Sequence, residues 1–409
     1  MPRLATTHAP STEPISPADS LSRSEARRLT DRFKREASSL WRKLVQLHDG
    51  SAHTTLGYRS WHAYCEAEFG LGRTQSYRLL DAGRVAEVVP QLGNEAQARA
   101  LWPLLRDRGP AAVVALEQEV RERAGEAGVT AAQLQQAVAE QIAPTLPADP
   151  DRVPGRPTRA RSQAGKLYQL GPHRLICGDS TDAAVLAELF ENEQAAMIWT
   201  DPPYGVDYIG KTADALTIQN DGAAGLRQLL VDAWHAALPH LVESAPFYIA
   251  GPTGPTAADF YASFEQAGLD FHQQLVWRKP HLVLGHCNYQ MQHEGIYHGH
   301  GPGRTAGRAT PDRYRWYGPD NATSVLDIPS PSASREHPTM KPVELIIPML
   351  QNSSLPNEIV LDQFAGSGST LAAAHHTGRR AYLVELDPAY CDVIRKRWHT
   401  LSRNAADPD

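Results

Sequence analysis

An α/β sheet with helices on both faces, preceded by an all-α domain, is the fold the sequence predicts. Three observations predict it. From about Lys166 onward, short apolar runs alternate with helical stretches, the pattern of strands and helices taken in turn. Between Leu21 and Leu134, Pro and Gly are sparse, and the strong helix formers Ala, Leu, Glu, Gln and Arg dominate. Between these parts, residues 143–165 carry Pro144, Pro147, Pro150, Pro154 and Pro157 with Arg152, Arg156, Arg159 and Arg161. That composition reads as a basic linker. A length of 409 residues also suits two or three domains better than one core.

The elements follow in order. Residues 1–20 are rich in Pro, Ser and Thr and lack an apolar run, so they read as a disordered tail rather than a signal peptide. Residues 21–142 form the helical domain. Ser22 or Ser24 can cap a helix to about His48, with Leu29, Phe33, Leu40 and Leu44 on one face. A compact unit spans residues 56–89. Its first helix runs from about Ser60 to Phe69, with Trp61, Tyr64 and Phe69 facing inward. Gly70 and Gly72 break it, and a second helix opens at Arg73. Two short helices around a Gly turn, the second opening with Arg, Thr and Gln, are the pattern of a helix-turn-helix. Arg73, Gln75 and Arg78 are then candidate DNA contacts; a plain helical hairpin is the competing reading. Helices over about Asn94–Arg108, Ala111–Gly125 and Thr130–Ile142 complete the domain. Beyond residue 166, strands are expected at Ala195–Thr200, Pro246–Ala250, Phe271–Trp277, Ile359–Asp362 and Ala381–Glu385. Helices are expected at Leu226–Leu241, Pro342–Gln351 and Thr370–Gly378.

Two motifs carry chemistry. Asp201-Pro202-Pro203-Tyr204 follows an apolar strand directly, and ligands of open α/β sheets sit at the carboxyl ends of strands. A rigid turn there fixes a carboxylate, a carbonyl and an aromatic ring in one small space. The ring of Tyr204 can stack on a flat heterocycle. The Asp201 carboxylate and the Pro202 carbonyl can accept both hydrogens of an exocyclic amine; Pro203 shapes the turn. A surface turn with two prolines is the bland alternative. The second motif, Asp362 to Thr370, has a strand end, then Gly366-Ser367-Gly368, then a helix start. It is a nucleotide-binding βα turn in which glycine lets a ligand approach the backbone. It lacks the Lys of a Walker P-loop. Glu385 ends the next strand, where an acid binds ribose hydroxyls.

With these residues in place, residues 166–402 resemble the DNA amino-methyltransferases that use S-adenosylmethionine. Asp201 to Tyr204 resemble their catalytic motif and Asp362 to Thr370 their cofactor motif. The catalytic motif comes first, which is the permuted, β-group order. His337-Pro338-Thr339-Met340-Lys341-Pro342 resembles the segment that closes over the methionine end of the cofactor. Cys177-Gly178-Asp179-Ser180 resembles the acidic position near the cofactor adenine. Trp277 to Pro280 and His293-Glu294 also resemble segments of the family. The resemblance implies a Rossmann-like, seven-stranded, mostly parallel sheet with one antiparallel strand. It implies S-adenosyl-L-methionine as cofactor, duplex DNA as partner, base flipping and direct methyl transfer to the N6 amine of adenine. Asp201 and Pro202 would hold the amine and Tyr204 would stack on the base. Asp179, Asp362, Phe364, Gly366, Gly368 and Glu385 would line the cofactor, with Thr339 and Lys341 at its carboxylate.

Other readings stay open. N4 of cytosine is the alternative target. A DNA-binding regulator with an inactive methyltransferase fold, or a methylase of RNA or a protein amide, are alternatives of other classes. Residues 296–336 are the candidate target-recognition region, with Arg304, Arg308, Arg313 and Arg315 among aromatic residues, a mixture suited to phosphate and base contact. His281, His286, His293, His298 and His300 lack a metal-ligand spacing, and no metal is expected. Cys65, Cys177, Cys287 and Cys391 form no Cys-x-x-Cys pair, which fits a reducing, cytoplasmic setting. No apolar run reaches the ~18 residues a membrane span needs. The net charge of -6 argues at first against DNA. Yet residues 1–170 hold 23 Lys and Arg against 19 Asp and Glu, while residues 171–409 hold 17 against 27. A local basic surface is therefore compatible with an acidic total.

Overall fold

The computed structural model describes residues 22–125, 128–205, 224–284, 288–302, 315–319, 322–329 and 340–406. The chain divides into two compact units, Met1–Ala143 and Pro144–Asp409.

The first unit holds α1 (Arg23–Asp49), α2 (Ala52–Thr55), α3 (Trp61–Phe69), α4 (Arg73–Val88), α5 (Glu95–Arg108), α6 (Pro110–Ala124) and α7 (Ala131–Ile142). Ser22 starts α1 through a capping box: the Glu25 N–H donates to its hydroxyl, and its own N–H donates to the Glu25 carboxylate. The expected apolar face of α1 is corrected. Leu44 is buried, but Leu29, Phe33 and Leu40 are 55%, 70% and 59% exposed. Leu29 and Phe33 lie before the stretch of α1 that packs on α4, which has 16 residues against its 27. Leu40, between the buried Ser38 and the half-buried Trp41, faces away from it. The two meet closely around Gly83, where a Cβ would come within 2.4 Å of the Trp41 carbonyl oxygen. α3 ends on Gly70 at φ 64°, a left-handed cap that suits glycine. Trp61 and Tyr64 are buried as expected, whereas Phe69 is 44% exposed.

The second unit is built on β1 (Leu167–Leu170), β2 (His173–Cys177), β3 (Ala195–Thr200), β4 (Pro246–Gly251), β5 (Asp270–Val283), β6 (Met291–His300), β7 (Val325–Asp327), β8 (Ile359–Asp362) and β9 (Arg380–Glu385). They form one sheet in the order β1-β2-β9-β8-β3-β4-β6-β5-β7. The stretch from β2 to β5 is the expected seven-stranded sheet. Within it β6 alone runs antiparallel to its neighbours. The full count is nine, because β1 adds antiparallel to β2 at one edge and β7 adds parallel to β5 at the other. Those short edge strands carry no apolar run that would announce them. β3, β4 and β8 are buried throughout, as continuous apolar strands covered on both faces must be. One face carries α8 (Ala183–Phe190), α9 (Leu226–Ala237) and α10 (Ala257–Gln266). The other carries α11 (Val343–Ser353), α12 (Ser369–His376) and α13 (Pro388–Ala406).

Two further expectations are corrected. Residues 296–300 belong to β6, inside the sheet, and not to a recognition loop. His298 stacks on Tyr248 at 4.3 Å and its Nδ1 donates to the Phe247 carbonyl at 3.0 Å. Among the described residues no group of three His, Cys, Asp or Glu is placed to hold a metal ion. The Pro-rich stretch is also more than a linker, because from Pro144 it belongs to the second unit. Pro150 accepts from Arg397, Asp151 accepts from the Val343 N–H at 2.8 Å, Arg156 pairs with Asp387, and Asp392 accepts from Arg161 N at 2.6 Å and Ser162 N at 3.0 Å. Extended, proline-stiffened backbone leaves its polar groups free to be tied down in this way. Among the described residues no helix is long and apolar enough to cross a membrane.

Candidate active site

The site lies along the carboxyl ends of β2, β9, β8 and β3, four neighbouring parallel strands. After β8 the chain moves to one side of the sheet, and after β3 it moves to the other. The crevice between β8 and β3 is thus the switch point where α/β sheets bind ligands.

Asp362 ties that crevice together. It accepts from Thr200 Oγ1 at 2.7 Å, from Thr370 Oγ1 at 2.5 Å and from the Phe364 N–H at 3.1 Å. Burial pushes its carboxyl up to about 6, against the lowering by the Thr370 and Thr200 hydroxyls. These bonds fix the end of β8, the end of β3 and the start of α12. Gly366 sits at φ 52° and Gly368 at φ 82°, a region that penalises any side chain. A Cβ on Gly366 would meet nothing within 4 Å, so the turn presents bare backbone to open space. Glu385 buttresses it, accepting from the Gly366 N–H at 2.7 Å and the Asp387 N–H at 2.8 Å. Burial pushes Glu385 up to about 7, opposed by those two N–H donors. Cys177 lies in register with Glu385, so Asp179 stands just past the end of the adjacent strand. Its carboxylate accepts from Thr181 N at 2.9 Å and Thr181 Oγ1 at 2.8 Å. Phe364 is half-buried against the apolar layer of α8 to α10.

Asp201 follows β3 at once. The Tyr204 hydroxyl donates to its Oδ1 at 2.9 Å. Lys341 Nζ donates to Oδ1 at 2.9 Å and Oδ2 at 2.7 Å, and sits 5.2 Å from the centre of the Tyr204 ring. Lys341 also lies 3.3 Å from Glu294 on β6, and Glu294 pairs with Lys279 on β5. Burial raises Asp201, against the lowering effect of Lys341. Burial acts downward on Lys341, yet Asp201 and Glu294 hold it well above the ordinary lysine value. Lys341 therefore meets an anion within the protein itself, the Asp201 carboxylate.

The structure brings together Asp179, Asp201, Pro202, Pro203, Tyr204, Lys341, Asp362, Phe364, Gly366, Gly368 and Glu385 on one edge of the sheet. Thr339, Arg304, Arg308 and Arg313 lie outside the described residues, as does the side chain of Arg73. Arg315 pairs with Glu358 and lies 5.8 Å from the Tyr317 ring centre. Gln75 is exposed on α4 and Arg78 half-buried. Sequence reasoning gave no role to Thr200, Glu294 or Lys279 and offered Thr370 only as a helix cap, whereas its hydroxyl donates to Asp362. The threonines sit within or beside the motifs. The Glu294–Lys279 pair joins the consecutive strands β5 and β6 across 15 positions; both residues lie in segments that resemble the family, but nothing in those segments announces that they pair.

An α/β fold with a Gly turn, an acid one strand away and a carboxylate-aromatic turn at the switch point has the layout of a nucleotide-binding enzyme. The model of the DNA methylase family matches residues 195–396. YubD of Escherichia coli (strain K12), whose name marks it as a methylase, is 31% identical over 234 residues, 56% of this chain and 92% of that protein. The chain belongs to this family of S-adenosylmethionine-dependent DNA methyltransferases. Type II methyltransferase M.HpaI of Haemophilus parainfluenzae is 26% identical over 239 residues, 55% of this chain and 73% of that one. The crystal structure of a DNA modification methylase of Thermus thermophilus, TTHA0409, complexed with S-adenosyl-L-methionine, is 26% identical with a TM-score of 0.40. The match covers 56% of this chain and 94% of that one.

Proposed function

We propose that this chain methylates the exocyclic N6 amine of adenine at a specific sequence in DNA. The observation that carries this is the Asp201 carboxylate, anchored by Tyr204 at the end of β3, one strand from the Gly turn. The residues fit S-adenosylmethionine: bare backbone at Gly366 in a turn closed by the left-handed Gly368, Glu385 for the ribose hydroxyls, Asp179 near the adenine and Phe364 along the wall. When bound, the cofactor supplies an electrophilic methyl group on a sulfonium.

The protein's own part is to make a poor nucleophile attack. Asp201 and the Pro202 carbonyl accept the two amine hydrogens, which draws the nitrogen lone pair away from the ring. Tyr204 stacks on the base and fixes its plane. The target base must leave the duplex to reach this turn. The new N–C bond leaves an extra proton on the amine, and Asp201 is the carboxylate placed to take it. Burial favours the protonated form of Asp201, against the opposing effect of Lys341. Asp rather than Ser at the first motif position favours adenine in the family it resembles. The α3–turn–α4 unit supplies DNA contact from Gln75 and Arg78, with Arg73 at the start of α4.

The test is to incubate the protein with labelled S-adenosylmethionine and mixed-sequence duplex DNA, then digest and separate the nucleosides. Label in N6-methyladenine is expected. Label in N4-methylcytosine would overturn the choice of base, and label entering only RNA or protein would overturn the choice of substrate.

A further inference from the structure

Lys341 stands where the substrate amine has to go. Its ammonium donates to both oxygens of Asp201, one of which also takes the Tyr204 hydroxyl. An incoming amine and a protonated lysine are both donors, and they compete for one carboxylate. The ammonium is almost wholly enclosed, with 6% of its side chain exposed, so it cannot swing into water. A second carboxylate lies within reach: Glu294 Oε2 is 3.3 Å from Lys341 Nζ, and that oxygen is buried without a hydrogen bond of good geometry. Glu294 is held from behind by Lys279, whose ammonium lies 4.9 Å from the Trp277 ring centre. Trp277 and Glu294 are register partners on β5 and β6, so the acceptor is mounted on rigid sheet.

We propose that Glu294 is a positioning residue that takes Lys341 over from Asp201 when the flipped base enters. In the free protein Lys341 neutralises Asp201 and keeps its geometry. As the amine arrives, Lys341 shifts toward Glu294, an acceptor of equal charge. No charge is stranded, because the two lysines and two carboxylates stay balanced in both arrangements. Glu294 touches neither base nor cofactor in this scheme. It rests on the amine-methylating reading above.

A double-mutant cycle tests it. The wild-type protein is first shown to methylate duplex DNA, and its site is mapped; absence of methylation there would strike the functional reading and not this one. Steady-state kinetics on that duplex then compare wild type, Glu294→Gln, Lys341→Met and the double variant. Affinity for DNA in the presence of S-adenosylhomocysteine gives a readout independent of turnover. Glu294→Gln should raise the KM for DNA and the DNA Kd about tenfold, the cost of roughly one ionic hydrogen bond, with affinity for S-adenosylhomocysteine unchanged. In the Lys341→Met background the same change should alter either value less than about twofold, because the lysine to be moved is gone. Glu294→Asp, which keeps the charge, should restore most of the loss and covers the case in which Glu294→Gln does not fold. An unchanged KM in Glu294→Gln, or two effects that multiply in the double variant, would overturn the proposal.

Discussion

Two carboxyl groups at the residue scale are held far from their ordinary state. Glu385 is pushed up to about 7 and Asp362 to about 6, both chiefly by burial. For a carboxyl raised in the folded state, the folded chain binds more protons than the unfolded chain over the interval between the two values. Each group therefore lowers stability as pH climbs through that interval. For ligand binding by Glu385 the sign is opposite. Ribose hydroxyls donate best to an ionised carboxylate, so cofactor affinity should rise from pH 6 to pH 8. A gain of roughly fivefold to tenfold follows from the change in the ionised fraction, readable by calorimetry. Glu385→Gln should bind weakly and with a flat profile. A flat profile in the unaltered protein would remove Glu385 from the cofactor. Asp362 is different, since the donors it accepts from belong to the protein itself. Its position in a motif was legible, but its work as a tie between β3, β8 and α12 was not. Thr200 and Thr370 lie on opposite sides of it, 170 positions apart.

At the scale of elements, the unit of α3, the Gly70–Gly72 turn and α4 presents an exposed Gln75 near the start of its second helix. If that helix meets DNA, a negative charge there repels phosphate. Gln75→Glu should weaken DNA binding severalfold, more at low salt than at high salt, and leave cofactor affinity alone. Equal affinity for DNA at low salt would remove the helix-turn-helix proposal. Elements were legible where burial is uniform. β3 and β8 begin and end where their apolar runs do. They were illegible where a strand is polar or short: β6 reads as His- and Gly-rich chain, yet it pairs with β5 from Met291 to His300 and with β4 from Gly295 to His300. Its register with those neighbours decides that it is a strand, and register is a long-range property. The same holds for Pro150 to Ser162, whose composition signals extended chain. What fastens it is Val343, Arg397 and Asp392, nearly 200 residues or more away.

For the whole molecule, the acidic total hides an uneven spread: residues 1–170 are net positive and residues 171–409 net negative. Asp179, Asp201, Asp362 and Glu385 converge on one sheet edge, and part of the negative charge is spent there. An acidic chain can thus act on DNA if the contact surface is local and basic. The motifs were enough to forecast a site at the carboxyl ends of strands, but not which strands are neighbours there. The partner of Lys341 was not forecast, because a spacing does not say which of two anions lies nearer. The measurement that bears most directly on the function is made on Asp201→Ala. It compares methyl transfer to DNA with calorimetric affinity for S-adenosylmethionine in the same preparation. Transfer should fall by at least about a thousandfold, the scale of lost transition-state contacts, while affinity for the cofactor stays within about twofold of wild type. Transfer that persists at a comparable rate, or cofactor affinity lost along with it, would contradict the assignment of Asp201 to the target amine.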